Sequence, residues 1–199
     1  MNLDQKFIES ICFQHGEYQL IEYHQMRVNQ TFEKFYPNAR PVDLKDILPK
    51  IDFDERHKVR VVYSEDLINI EYSEYHPNEI MSLQVVQNDI IEYGYKFEDR
   101  QQLTDLYQKR EWSDDIIIVK NQLITDSYYA NIAFHDGVKW FTPKSYLLPG
   151  VKRQYLLEMG LISEIEISLA DIHSFKKASL INAMLNLGEI EIPISSIEL

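Results

Sequence analysis

Glycine, cysteine and positive charge are scarce in this chain of 199 residues, and each shortage excludes a class of protein. The six glycines spell no Gly-x-Gly-x-x-Gly dinucleotide motif, no phosphate-binding P-loop and no Gly-x-Ser-x-Gly nucleophile elbow. The single cysteine, Cys12, excludes an internal disulfide bond. The six histidines form neither a His-Glu-x-x-His motif nor a cluster with cysteine, so we predict no metal site.

Acidic residues outnumber basic residues, and the formal net charge is −12. Nucleic acids and anionic membrane surfaces are bound through clustered lysine and arginine, so we expect neither as a partner. The chain has no apolar run long enough to span a bilayer, and its first residues lack the features of a signal peptide. The hydrophobic share of 45% predicts a folded protein with a substantial core. Because neither a membrane span nor a signal peptide is visible, we expect this protein to be cytoplasmic.

The first part of the chain predicts a small mixed domain. Residues 7–24 read as a hairpin that turns at His15-Gly16, and the following residues read as a helix that Pro37 ends. A second short helix follows, and then two strands, Val59–Tyr63 and Leu67–Tyr72. The segment around Pro77 marks the predicted boundary between a domain of residues 1–76 and a larger domain of residues 80–199.

The second part begins as extended chain and then predicts a helix over residues 98–112 and two hairpins. The second hairpin turns at Asp136-Gly137, and a helix entered through Pro149-Gly150 is closed by Gly160. A strand, a short helix and two final strands complete the pattern. We therefore expect an α+β or α/β fold, with a mostly antiparallel or mixed sheet in each domain.

Lys96 is the first basic residue after a long acidic stretch. No lysine or arginine occurs from Val61 to Tyr95, whereas seven aspartate or glutamate residues do. Read alone, Lys96 is a surface lysine whose stem lies on Tyr95 or Phe97. The functional alternative is a desolvated amine with a lowered pKa, which could attack a carbonyl carbon.

Three further features have both a plain and a functional interpretation. Arg27 is either a solvated helix residue or a phosphate ligand. The Pro-Gly before Val151 is either an ordinary helix start or an anion site formed by the amides of Val151 and Lys152. Asp126 and Asn131 are either a bonded turn pair or a buried acid that needs a partner.

Taken in order, these segments resemble the class IV aminotransferase family of pyridoxal phosphate enzymes, which have fold-type IV. The resembling segments are "FIESI", "EYHQMRV", "YKFEDRQQL", "TDSYYANIAF", "LLPGVKR" and "INAMLNLG". The family usually has glutamate where Asp126 stands, and Ile-Thr where Val151-Lys152 stands. The lysine segment and the "INAM" segment are most similar to 4-amino-4-deoxychorismate lyase. The resemblance implies two mixed α/β domains with the active site between them, and a homodimer.

The resemblance also implies a role for each candidate residue. Lys96 would hold pyridoxal 5'-phosphate as an aldimine and transfer the proton. Asp126 would pair with the pyridinium nitrogen and keep it protonated. Arg27, the backbone amides of Val151 and Lys152, and Asn182 would bind the phosphate. The cofactor-binding set is then Arg27, Lys96, Asp126, Asn131, Gly150, Val151, Lys152 and Asn182.

Three functions remain open at this point. The first is a lyase that releases pyruvate from 4-amino-4-deoxychorismate and forms 4-aminobenzoate, a folate precursor. The second is an aminotransferase of the branched-chain or D-amino-acid type, for which Arg60 and Arg100 are candidate ligands of the substrate carboxylate. The third is a cofactor-binding or interaction protein that has lost catalysis.

Overall fold

The computed structural model describes residues 5–199, whose contacts divide the chain into two units. Unit 1 comprises the described residues up to Pro77 together with the segment Tyr95–Asp99. Unit 2 comprises Asn78–Gly94 and Arg100–Leu199. The change of unit at Pro77 falls in the predicted linker. The segment with Lys96, however, packs in unit 1 and not in the C-terminal domain as predicted, because its backbone bonds to the first strand.

Unit 1 is built on a four-stranded antiparallel sheet with the order β2-β1-β3-β4. Its elements are β1 (Phe7–Gln14), β2 (Glu17–Tyr18), α1 (Ile21–Phe35), α2 (Leu44–Ile47), β3 (His57–Tyr63) and β4 (Leu67–Glu74). The predicted hairpin is shorter than expected, because the apolar run after β2 begins α1 instead of extending the strand. Leu20 has a left-handed backbone, with φ of 55°, and turns the chain into the helix.

The core of unit 1 joins the inner face of β1 to the buried face of α1. Alternate strand residues, including Phe7 and Ile11, pack in one cluster with Val28 and Phe32 of α1. Each side chain of this size that is removed from water stabilises the fold by about 1.5–3 kcal/mol. The same alternation places Glu9 among these apolar residues, and its neighbours decide whether the burial of its charge is tolerable.

Unit 2 contains two sheets, with the orders β13-β5-β6-β7 and β10-β9-β8-β11-β12. Its elements are β5 (Leu83–Gln87), α3 (Gln101–Tyr107), β6 (Asp115–Lys120), β7 (Leu123–Ile124), β8 (Asn131–His135), β9 (Trp140–Pro143), α4 (Val151–Glu158), β10 (Ser163–Ile165), β11 (Lys177–Ile181), β12 (Glu191–Pro193) and β13 (Ile197–Glu198). Short 3₁₀-helices span Leu169–Ser174 and Ile194–Ser196.

The expected mixture of strand directions is confirmed. β5 is parallel to both β6 and β13, and β9 is parallel to β10, whereas the other pairs of unit 2 are antiparallel. The two predicted hairpins are β6–β7 and β8–β9, and Gly137 in the second turn has a φ of 112° that favours glycine. Within residues 5–199, no helix is long and apolar enough to cross a membrane.

Candidate active site

Glu9 is the centre of a buried ion cluster in unit 1. Arg27 donates to it twice, from Nε to Oε1 at 2.8 Å and from Nη2 to Oε2 at 2.5 Å. The Nδ1 atom of His24 lies 2.5 Å from Oε2. His24 and Arg27 are one turn apart on the buried face of α1, so the helix presents both side chains to β1. Glu9 and His24 have no exposed surface, and Arg27 is 7% exposed.

Within the cluster Glu9 is ionised and His24 is neutral. Burial alone would raise the pKa of Glu9, but the charge and hydrogen bonds of Arg27, with the bond to His24, lower it to about 2. Burial lowers the pKa of His24, and the charges of Arg27 and Lys96 act in the same direction, while Glu9 opposes them. Because a carboxylate only accepts hydrogen bonds, the imidazole proton belongs on Nδ1. The Nε2 atom is then a buried acceptor without a hydrogen-bond partner among the described residues.

Lys96 lies in the middle of a tight three-residue turn beside β1. The amide of Phe97 donates to the carbonyl of Tyr95 at 3.0 Å, and the amide of Ile8 donates to the carbonyl of Lys96 at 2.9 Å. The side chain of Lys96 is half-buried, and its charge lowers the pKa of His24. The structure therefore brings Lys96 into the charged surroundings of His24 and Arg27.

The aromatic neighbours of Lys96 belong to the core of unit 1. The Tyr95 ring packs edge-on against Phe35 with the centroids 4.8 Å apart, and the Phe97 ring lies 5.2 Å from Phe7. The aromatic residues that flank Lys96 in sequence therefore anchor its backbone to the hydrophobic core.

Asp126, in unit 2, is a buried carboxylate held by neutral donors. Its Oδ1 accepts from Nδ2 of Asn131 at 2.8 Å, and its Oδ2 accepts from the amides of Leu147 at 3.1 Å and Leu148 at 2.9 Å. Burial raises its pKa to about 6, and these hydrogen bonds and the more distant charge of Arg153 offset this only in part. Asp126 forms no salt bridge within residues 5–199.

A tight turn explains why Asp126 and Asn131 meet. The amide of Ser127 donates to the carbonyl of Ala130 at 2.8 Å, and Asp126 bridges directly to Asn131 across this turn. The plain interpretation of the pair, an aspartate bonded to an asparagine across a turn, is therefore what the geometry shows. A cofactor role for either residue stays a prediction.

Gly150 begins α4 at the end of a loop that Asp126 holds. It is the N-cap residue, with φ of −69° and ψ of 138°, and no side chain caps the first turn. Because the first turn of a helix leaves its amides without intrahelical partners, this end suits an anion. Val151 is buried, and Lys152 donates from Nζ to Oδ1 of Asn186 at 2.8 Å.

Asn182, the remaining member of the predicted phosphate set, closes a turn in unit 2. Its Oδ1 accepts from the amides of Met184 at 2.8 Å and Leu185 at 3.0 Å, and its Nδ2 donates to the carbonyl of Tyr129 at 3.3 Å. These bonds account for asparagine at this position, so its phosphate contact remains a prediction.

The two arginines considered for a substrate carboxylate already have partners. Arg60 pairs with Glu98 at 3.0 Å and with Glu71 at 3.5 Å. Arg100 donates to the carbonyl of Tyr128 at 2.5 Å and lies over that ring at 4.4 Å. Neither guanidinium stands out as a carboxylate site.

Two buried acids were not identified as candidate residues from the sequence. Glu9 could have been found, since the alternation of β1 directs it inward with Phe7 and Ile11. Asp115 begins β6, where its Oδ1 accepts from the amide of Ile116 at 2.8 Å. Its Oδ2 forms no well-placed hydrogen bond within the described residues, and burial raises its pKa to about 6. Its isoleucine-rich strand gave no such signal.

Comparison with known proteins identifies the family. Residues 100–193 match the model of the family described as amino-transferase class IV. An uncharacterized protein from Haemophilus influenzae (strain ATCC 51907 / DSM 11121 / KW20 / Rd) is 33% identical over 181 residues, which cover 88% of this chain and 96% of that protein. The crystal structure of a provisionally assigned 4-amino-4-deoxychorismate lyase from Haemophilus somnus 129PT is 30% identical, with a TM-score of 0.88. That match covers 92% of this chain and 98% of that chain.

More distant structures share the fold alone. One is a hypothetical aminotransferase from Mycobacterium tuberculosis in its PLP-bound form, with 15% identity and a TM-score of 0.71. That match covers 96% of this chain and 81% of that chain. The chain belongs to the amino-transferase class IV family, as its motifs predicted, and has the fold-type IV architecture. It is a pyridoxal-phosphate-dependent lyase or aminotransferase.

Proposed function

We propose that this enzyme is a lyase that converts 4-amino-4-deoxychorismate to 4-aminobenzoate and pyruvate, with pyridoxal 5'-phosphate as cofactor. The state of Asp126 carries the cofactor part of this proposal. This carboxylate is buried, its hydrogen-bond donors among residues 5–199 are neutral, and its Oδ1 accepts one hydrogen bond from them. A protonated pyridine nitrogen would supply both a further donor and the positive charge that the site lacks. The residues present therefore fit the cofactor ring.

The predicted phosphate ligands also fit an anion. Arg27 supplies a guanidinium whose plane Glu9 fixes, and α4 supplies an uncapped first turn at Gly150 and Val151. In a protein with a net charge of −12, a dianionic phosphate needs local donors of this kind. We infer that Arg27 and Lys96 in unit 1 are cofactor ligands, and that Asp126 and the start of α4 in unit 2 are cofactor ligands as well.

Each of these residues would have a distinct task. When bound, the cofactor supplies an electron sink for negative charge that develops on the substrate. Lys96 would bind the cofactor aldehyde through its amine. After the substrate amine has displaced it, the freed amine of Lys96 would remove the proton from the substrate carbon and return a proton as pyruvate leaves. Asp126 would keep the ring nitrogen protonated. The Nε2 atom of neutral His24 can only accept a hydrogen bond. It would therefore stabilise a protonated group beside it in the surroundings that His24 shares with Lys96.

The choice of lyase over aminotransferase rests on similarity across almost the whole chain. The match to the provisionally assigned lyase covers 98% of that protein's chain. The lysine segment and the "INAM" segment of this sequence also resemble the lyase. An aminotransferase must also bind an α-carboxylate, and the two arginines considered for it are engaged within their own units. The expected homodimer and cytoplasmic location remain predictions.

Release of pyruvate is the decisive test of the reaction. The purified chain with pyridoxal phosphate should release pyruvate from 4-amino-4-deoxychorismate without an added keto acid. Turnover that requires both an amino acid and a keto acid would show an aminotransferase instead. A chain that binds no cofactor would contradict both assignments.

Lys96→Ala tests the role of the lysine separately from the substrate. Borohydride reduction of the loaded parent chain should attach the cofactor to Lys96, as peptide mass spectrometry would show. The variant should lose this attachment and nearly all turnover, because the reacting amine is missing. The matched control is Lys34→Ala, since Lys34 is an exposed residue of α1. Attachment at another lysine in the parent chain would remove Lys96 from the mechanism.

The pKa of Asp126 tests the proposed ring contact. Carboxyl NMR of the parent chain should give a pKa raised to about 6 without cofactor. Pyridoxal phosphate should lower it, because a cationic ring nitrogen favours the ionised carboxylate. A pKa that stayed the same or rose in the loaded protein would exclude Asp126 as the partner of the ring nitrogen.

A further inference from the structure

Asn131 connects Asp126 to the loop that begins α4, two parts of the candidate site that were predicted separately from the sequence. We propose that Asn131 is a positioning residue, not a cofactor ligand, and that it ties the carboxylate of Asp126 to the loop that begins α4. The consequence for the cofactor rests on the proposed function, whereas the geometry lies entirely within unit 2.

Both N–H groups of the Asn131 side-chain amide are used inside the protein. Its Nδ2 donates to Oδ1 of Asp126 at 2.8 Å and to the carbonyl of Leu148 at 3.0 Å, which accounts for both amide hydrogens. The side chain is buried, with 5% of the residue exposed. A ligand could bind Nδ2 only by breaking one of these bonds, so a direct cofactor contact through Nδ2 is disfavoured.

The oxygen of the same amide explains why residue 150 is a glycine. A Cβ atom at Gly150 would lie 1.9 Å from Oδ1 of Asn131 and 3.1 Å from its Cγ. No side chain fits at such a distance, so Asn131 occupies the space that a residue other than glycine would need. Glycine at position 150 is therefore required by close packing, since its φ of −69° is open to any residue.

These contacts close a small ring of hydrogen bonds. Asp126 accepts from Asn131 on one oxygen and from the Leu148 amide on the other, while Asn131 donates to the Leu148 carbonyl. Neither the acid nor the loop can move without breaking a bond to the other. Asn131 thus couples the acid expected at the cofactor ring to the helix start expected at the phosphate.

Asn131→Ala tests this coupling without any measurement of activity. Loss of the donor should raise the pKa of Asp126, measured by carboxyl NMR without cofactor, because that bond favours the charged form. The affinity for pyridoxal phosphate, measured by tryptophan fluorescence, should fall by about tenfold or more, as for loss of a hydrogen bond to a charged group. The matched control is Asn88→Ala, because the Asn88 side chain likewise forms two hydrogen bonds in unit 2, although it accepts them, from the amides of Ile90 and Ile91.

The two readouts separate the alternatives. A drop in affinity with an unchanged pKa of Asp126 would show a direct cofactor contact and overturn the positioning role. No change in either quantity would also overturn it. If the parent chain bound no cofactor, the proposed function would fail, whereas the change in the pKa of Asp126 would still decide whether Asn131 positions the acid.

Gly150→Ala provides a second test that leaves the Asn131 side chain present. The added methyl group must displace the amide, so this variant should also raise the pKa of Asp126 and lower stability in urea. In the double variant with Asn131→Ala the clash partner is gone, so the second substitution should add little to the loss of stability. Additive losses would show that the two residues do not form one packed unit.

Discussion

Glu9 in unit 1 and Asp126 in unit 2 are both buried carboxylates, yet their pKa values move in opposite directions. The pKa of Glu9 falls to about 2, and that of Asp126 rises to about 6. Both lose water, and both accept three hydrogen bonds or close polar contacts. The difference is the guanidinium of Arg27, which pairs with Glu9, whereas the donors to Asp126 are neutral.

This contrast separates a completed charge pair from an incomplete one. Neutral amides recover part of the hydration that a buried carboxylate loses, but a nearby cation is needed to outweigh that loss. The Glu9 cluster is therefore stable as it stands and suits the task of orienting Arg27. Asp126 would gain most from a cationic partner, so under the proposed function it should show the greatest response to cofactor.

Removal of the charge pair in unit 1 should have the largest effect on stability. In Glu9→Leu, Arg27 remains buried and loses its carboxylate, so the free energy of unfolding in urea should fall by about 3–5 kcal/mol. The double variant E9L/R27M should recover much of this loss, because apolar groups then replace both charges. If the double variant did not regain stability, the loss in Glu9→Leu would come from altered packing and not from the unpaired charge of Arg27. The control Glu33→Leu alters an exposed glutamate of α1 and should change little.

The pH dependence of stability should separate the two units by its sign. The pKa of Glu9 is lowered from 4.5 to about 2, so its contribution is complete above pH 4.5 and is lost toward pH 2. The pKa values of Asp126 and Asp115 are raised from 3.8 to about 6, so their ionisation destabilises the fold as pH rises through that interval. Stability should rise with pH between 2 and 3.8 and decline toward pH 6.

Urea unfolding across this pH range checks both limbs. Glu9→Gln should flatten the acid limb, and Asp115→Asn, a change outside the proposed cofactor contacts, should reduce the decline above pH 3.8. In Asp115→Asn the oxygen that accepts from Ile116 can be kept while the buried charge is removed. An unchanged slope in Asp115→Asn would show that its carboxyl does not titrate in this interval.

The smallest effect is expected where a charge pair is exposed. Lys45 and Glu22 form a hydrogen-bonded ion pair, but both side chains are more than half exposed. Water and salt screen such a pair, so Lys45→Ala should leave the urea midpoint almost unchanged, in contrast to the buried pair of Glu9. A loss as large as that of Glu9→Leu would mean that burial does not explain the contrast.

Much of the candidate site could be predicted because its residues lie in short local motifs. The helical spacing of His24 and Arg27, the turn between Asp126 and Asn131, and the helix start at Gly150 are set by neighbours in the chain. The role of Glu9 in orienting Arg27 was harder to predict, because its partners His24 and Arg27 lie on α1, well beyond Glu9 in the sequence.

The sequence alone determined the family and the mixed α/β class, because these depend on residue order and local periodicity. It also singled out Lys96 as the candidate cofactor lysine, which stays a prediction. Only the tertiary structure decided which charges are neutralised. It paired Glu9 with Arg27, left Asp126 with neutral donors, and placed the Lys96 segment beside β1 in unit 1. The physical reason is that the energy of a buried charge depends on groups brought close by folding, and composition and spacing do not specify them.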